Sequence, residues 1–136
     1  ANVTTPSDGH HGVPVFYTSP LDASSKDIAL NPNVSVGYSE ALLGLCGESG
    51  NASRPDPEDP MCARLTLSGR FVELSGRDRD AARARLFSRH PEMKTWPANH
   101  DWSVSALHLV EVWLIDIYGG ATLVPPAEFW AWQPSA

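Results

Sequence analysis

Tyr17 and Thr18, followed at short range by Ser24, Ser25 and Lys26, are the residues of this chain whose types and spacing suit chemistry. They combine hydroxyls with one ammonium group, and Ser24-Ser25-Lys26 falls where a short helix is expected to begin. A helix start presents unpaired N–H groups and the positive end of its dipole, so the set makes an anion site for a group such as phosphate. The same residues have a plain structural use, with Ser24 or Ser25 as caps and Lys26 solvated. Five His offer further candidates. His10-His11 with Asp8 could approach a metal ion, but adjacent His rarely face one ion and no third ligand is suitably spaced, so they read as loop residues. His90 is expected at a helix end, interacting with terminal carbonyls. His108 is expected buried and satisfied in an apolar strand, and His100 lies in the turn Asn99-His100-Asp101-Trp102. No serine-nucleophile elbow, zinc helix or nicotinamide fingerprint is present.

The elements that must position these residues are short. Residues 1–12 are polar and expected to be irregular. Val13 to Thr18 reads as a strand, with Pro14 near its start. Asp22 to Leu30 reads as a helix ended by Asn31-Pro32, and Val34 to Tyr38 as the next strand. Arg64 to Leu74 alternates apolar Leu65, Leu67 and Phe71 with polar neighbours, the pattern of a half-buried strand in which Gly69 marks a bulge. Ser75 to His90 reads as a helix, with Ser75 and Asp78 in a capping arrangement, Leu86 and Phe87 as packing residues and Pro91 just beyond its end. Val104 to Tyr118 is apolar on both faces, as in a central strand or long hairpin arm. Gly119-Gly120 turns the chain into a last strand, Ala121 to Val124. Pro125-Pro126 then opens a short helix, with Phe129, Trp130 and Trp132 available for docking. Strands separated by short helices predict one mixed α+β barrel domain over residues 1–136.

Composition narrows the function classes. The chain has 136 residues, 42% of them hydrophobic, with five Trp and a formal net charge of -6. That balance excludes disorder and disfavours a nucleic-acid partner, which needs a basic face. No apolar run is long enough to cross a bilayer as a helix, so no membrane insertion is expected. The first residue is Ala1 with no signal segment after it, as in a mature or processed product. Asn2-Val3-Thr4, Asn33-Val34-Ser35 and Asn51-Ala52-Ser53 are three glycosylation sequons. Cys46 and Cys62 flank the turn-rich loop 47–61. They read as a disulfide or as two buried thiols, and the sequons favour the disulfide and an oxidising compartment.

One block carries a signature rather than chemistry: Leu86-Phe87-Ser88-Arg89-His90-Pro91-Glu92-Met93-Lys94-Thr95-Trp96-Pro97. With Gly12-Val13-Pro14-Val15-Phe16-Tyr17, Ser19-Pro20-Leu21, Asn31-Pro32, Asp56-Pro57-Glu58-Asp59-Pro60-Met61-Cys62, Leu67-Ser68-Gly69, Trp113 and Gly119-Gly120, it resembles the CREG family (cellular repressors of E1A-stimulated genes). The resemblance implies the FMN-binding split-barrel fold of the pyridoxamine-phosphate-oxidase-like class. It implies a glycosylated, secreted or endolysosomal homodimer that acts by binding in growth, differentiation or lysosomal roles. The mannose-6-phosphate/IGF-II receptor is an implied partner through glycans, and no catalytic residue or cofactor is implied. Family members carry a leading helix and about two further strands before the segment matching Ser7-Asp8-Gly9. The expectation is that this portion is missing here, as a separate N-terminal chain left by processing or a segment lost.

The alternative function is an FMN-dependent oxidoreductase. In flavin-dependent split-barrel oxidases a Phe-Tyr-Thr strand end and a following Ser-x-Lys helix start hold the FMN phosphate. Phe16-Tyr17-Thr18 and Ser24-Ser25-Lys26 resemble that arrangement, which makes Tyr17, Thr18, Ser25 and Lys26 the candidate cofactor-binding residues. Those oxidases also supply Arg and Lys from the preceding strand, whereas Asn2 to His11 holds neither. Bacterial haem-binding split barrels share a pattern like that from Asn99 to Gly120, which records the fold rather than the ligand.

Overall fold

The computed structural model describes residues 2–9, 12–47 and 55–132. The first strand pair is β1 (Ser7–Asp8) and β2 (Pro14–Thr18). Helix α1 (Ala23–Leu30) leads into β3 (Asn33–Ser39) and a 3-10 turn over Glu40–Leu43. Strand β4 (Arg64–Glu73) precedes the long helix α2 (Gly76–Arg89) and two 3-10 turns, Pro91–Thr95 and Ala98–His100. Strand β5 (Ser103–Ile115), strand β6 (Thr122–Val124) and helix α3 (Pro126–Ala131) complete the described chain. The strands are ordered β1-β2-β5-β4-β3, and β6 also pairs with β5. This mixture of strands and short helices is the α+β class expected. The described residues cluster into two compact units, one within 1–34 and 69–108, the other within 35–68 and 109–134.

In the first unit β2 lies antiparallel to β5, with Val15 opposite Ala106 and Thr18 opposite Ser103. Pro14 opens β2, where its missing N–H costs least. Gly9 turns β1 into β2 at close quarters. A Cβ there would fall 2.5 Å from Val15 Cγ1. Helix α2 packs on β1, β2 and the first 3-10 turn after it. Its exposed face is Arg- and Asp-rich, and only Ala82 and Leu86 are buried. These two are four residues apart, one turn along the same face. With Val15, Val104, Ala106 and Met93 they make the core, and Val13, Tyr17, Leu74, Phe87 and Trp96 pack around it. Pro91 stops α2, and the turn that follows buries Met93. The signature block therefore works as a helix stop that feeds Met93 and Trp96 into this core.

In the second unit β6 pairs antiparallel with the far end of β5, Val112 opposite Val124. The turn between them passes through Gly119 and Gly120, both at positive φ (122° and 102°), which a side chain would strain. Cys46 and Cys62 form a disulfide with Cα atoms 5.7 Å apart. The loop it closes is built on side-chain turns. Asp56 Oδ1 accepts from the Glu58 N–H at 2.9 Å and Asp59 Oδ1 from the Met61 N–H at 2.8 Å.

Several expectations need correction. A short strand, Ser7–Asp8, interrupts the segment expected to be irregular, because its backbone pairs with Val15 and Pro14. Helix α1 is capped by Asp22, whose carboxylate accepts from the Ser24 N–H, and not by Ser24 or Ser25. Ser75 occupies the N-cap of α2 without a side-chain cap bond. Strand β5 is covered on both faces only over Val104–Leu107, and His108 beyond it is exposed rather than buried. The His90 ring reaches the Pro6 carbonyl, Nε2 to O 3.1 Å, instead of the carbonyls of its own helix. His10-His11 and Asn51 lie outside the described residues.

Candidate functional site

Thr18 closes β2, and its Oγ1 lies 3.2 Å from Ser103 Oγ on β5. The next residue, Ser19, is buried and donates to the His100 carbonyl at 2.6 Å, which ties the end of β2 to the turn before β5. Both residues line two recesses in the first unit. The first recess, about 370 Å³, is bounded by Ser25 and Ile28 of α1, Glu73 of β4, Asp101, and Ser103 and Ser105 of β5. The second, about 570 Å³, is bounded by the stretch Asn2 to Thr5, Tyr17, Asp22, Trp96, His100 and Trp102.

The four residues expected to hold a phosphate are divided between these spaces. Ser25 faces the first, Tyr17 the second and Thr18 both, while Lys26 is exposed and lines neither. Among the described residues the first recess is lined by two carboxylates, Glu73 and Asp101, and by no Lys or Arg. Among the described residues Asp22 is the only carboxylate lining the second, and no Lys or Arg lines it. The start of α1 is already occupied, since Asp22 Oδ1 accepts from the Ser24 N–H at 3.2 Å. A phosphate dianion brought to either recess would meet carboxylate charge with no Lys or Arg among the described lining residues to offset it. The residues present do not fit the phosphate of FMN.

What the second recess does have is an aromatic wall. The Tyr17 and Trp102 rings stack with centroids 4.9 Å apart and planes at 17°. Trp96 lies 4.9 Å from Trp102 and 6.0 Å from Tyr17. Phe87 meets Tyr17 edge-on at 5.4 Å. The Trp102 indole N–H is satisfied by the Pro97 carbonyl at 2.8 Å, which fixes the ring. Asn2 donates through Nδ2 to both oxygens of Asp22, at 3.1 and 2.9 Å, and so pins the leading stretch over the start of α1. The sequence marks Asn2 only as a glycosylation sequon and gives Asp22 no site role. The available signals were an Asp just ahead of a helix and a sequon within reach of the chain's aromatic turn.

Among the described residues no group of three or more His, Cys, Asp and Glu side chains could hold a metal ion. Asn2 and Asn33 are both exposed, Asn33 at the start of β3.

All three tyrosines titrate above the ordinary phenol value of about 10. Burial raises Tyr17, partly opposed by the positive charge of Arg83. Burial also raises Tyr38. Tyr118 is raised first by the hydrogen bond its hydroxyl donates to Asp59 Oδ2, 2.8 Å long. A raised folded pKa means that the fold favours the neutral phenol. That contribution is complete below the unfolded value and is lost as pH rises through the folded ones. In a phenolate absorbance titration the native protein is therefore expected to ionise at higher pH than the urea-unfolded chain. Coincident curves would contradict these environments.

Against known proteins, residues 2–131 match the family profile described as "CREG, beta-barrel". Over 134 residues the chain is 37% identical to Protein CREG1 of Homo sapiens, covering 96% of this chain and 59% of that protein. Over 140 residues it is 32% identical to Protein CREG1 of Gallus gallus, covering 98% of this chain and 71% of that one. The chain thus spans about three-fifths of the length of the human relative. Among solved structures, a heme binding protein from Mycobacterium smegmatis superposes with a TM-score of 0.72 at 22% identity, over 94% of this chain and 48% of that chain. At that identity the likeness is one of fold alone.

Proposed function

Because this chain belongs to the CREG β-barrel family, we propose that it is a glycoprotein of the secretory pathway, secreted or endolysosomal, that acts by binding and not by catalysis. The observation that carries this reading is the charge of the first recess. Glu73 and Asp101 stand beside Thr18 and Ser25, where the flavin oxidases of the same fold class would need cations. The Cys46–Cys62 disulfide supports an oxidising compartment. Exposed sequon residues Asn2 and Asn33 support glycosylation, which would provide the handle for a mannose-6-phosphate/IGF-II type receptor.

Homodimerisation belongs to the same proposal. Within the second unit Leu42, Leu43 and Leu123 are 82%, 73% and 62% exposed, a cost that a covering subunit would relieve.

The test is flavin uptake by the glycoprotein secreted from a eukaryotic host. The purified protein is expected to be colourless. It is expected to leave the fluorescence of added FMN unquenched, and to shift on a gel when its glycans are removed. Stoichiometric retention of FMN through gel filtration would overturn the reading and install the oxidoreductase alternative.

A further inference from the structure

Asn2 is both a sequon asparagine and part of the wall of the 570 Å³ recess. We infer that the first sugar of a glycan on Asn2 seats in that recess, packed on the aromatic surface of Tyr17, Trp96 and Trp102 and hydrogen-bonded by Asp22. The inference rests on the glycoprotein reading above and names what its sugar does.

The lining suits a neutral sugar ring. A pyranose has a face of C–H groups and a rim of hydroxyls. Electron-rich ring faces attract the former, as they do other electropositive edges. Val3 and Leu21, on the same recess, are 92% and 63% exposed, so apolar surface waits there to be covered. Thr4, Thr5 and His100 add polar groups to the rim. Among the described residues the wall has no Lys or Arg to attract an anionic ligand. Its volume falls within the range of about 300–1,000 Å³ typical of small-ligand sites.

Hydrogen-bond arithmetic at Asn2 points the same way. One Nδ2 hydrogen is shared between the two Asp22 oxygens, at 3.1 and 2.9 Å, because those oxygens lie too close together to take one hydrogen each, and the other hydrogen is left free for substitution. Glycosylation forms an Nδ2–C1 bond, breaks the C1–O bond of a glycosyl pyrophosphate donor and removes one amide proton. The shared N–H can stay on Asp22, whose carboxylate lines the recess and has lone pairs left to accept from the acetamido N–H or a hydroxyl of the sugar. Because the sugar is bonded to the wall it packs on, no translational freedom is lost on docking.

The experiment uses the secreted protein trimmed by endoglycosidase to single ¹³C-labelled N-acetylglucosamine residues, with occupancy of each sequon fixed by peptide mass. The Asn2-linked sugar is expected to show resonances shifted upfield by ring currents. Those shifts are expected to vanish in Trp102→Leu, while the Asn33-linked sugar is unchanged. Should Trp102→Leu fail to fold, the rate at which a glycosidase releases the intact Asn2 glycan replaces it. A sugar held by about 1.4 kcal/mol is free about one-tenth of the time, so release is expected to run about tenfold slower than from the urea-unfolded chain. Unshifted resonances on an occupied Asn2, or equal release rates, overturn the inference. A bare Asn2 beside a glycosylated Asn33 also overturns it and leaves the glycoprotein reading standing. Bare asparagines at all three sequons overturn both. Binding of free diacetylchitobiose to unglycosylated Asn2→Gln protein, with no shift of the tethered sugar, would give the recess to another molecule's glycan and overturn it too.

Discussion

Leu86→Ala is expected to lower the unfolding free energy by about 3 kcal/mol, the mid-range cost of truncating a buried leucine. Leu86 has no solvent exposure and sits among Val15, Val104 and Met93. Helix α2 offers the core little else, since Ala82 is its only other buried side chain. The truncation removes transfer free energy and leaves a void bounded by two strands and a turn, which cannot all close on it. Urea denaturation of this variant beside Arg85→Ala measures the effect. Arg85 is exposed on the same helix and its loss is expected to cost no more than about 0.5 kcal/mol. Equal effects from the two substitutions would mean that α2 is not docked on β2 as described.

Replacing both cysteines, Cys46→Ala with Cys62→Ala, is expected to cost a similar amount by a different route. The bridge joins residues 16 positions apart, and a loop of that size restrains the unfolded chain by about 3 kcal/mol on the chain-entropy account. Its segment is held otherwise by turns at Asp56 and Asp59 and by the bond from Tyr118 to Asp59. For a domain of this size the loss corresponds to a drop of about 10 °C in thermal midpoint. The reduced natural protein is expected to melt with the double variant and the oxidised protein well above both. Identical melting of all three would show that the bridge constrains nothing that unfolding releases.

Much of this architecture was legible because the patterns were local. The alternation in Arg64–Glu73, the stop at Pro91 and the glycine pair after β5 each fix one element by sterics or by the period of burial. Failures came where a side chain answered to a distant partner. Ser24 and Ser25 looked like caps, yet Asp22 took the role and drew Asn2 from twenty residues away. His108 lies in an apolar run, but that run passes out of the two-faced core after Leu107 and periodicity does not reveal where. The candidate phosphate residues illustrate a related limit. Their hydroxyls and Lys26 are adjacent in the chain, whereas Glu73 and Asp101 arrive from elsewhere and set the charge. Spacing could report the residues that favour an anion but not those that repel it.

The contact between Asn2 and Asp22 depends on a difference of one atom. Where an amide nitrogen now donates at 2.9 Å, an oxygen would set two carboxylates against each other. Amidase release of an Asn-linked glycan leaves that change behind, as does slow deamidation, since both convert asparagine to aspartate. The attraction holding residues 2–5 over the start of α1 would become repulsion, relieved only by protonation or by the leading stretch swinging away. A chain stripped of its sugar by such an enzyme is therefore not equivalent to one that never carried it, and its age would be written in how firmly its first residues are held.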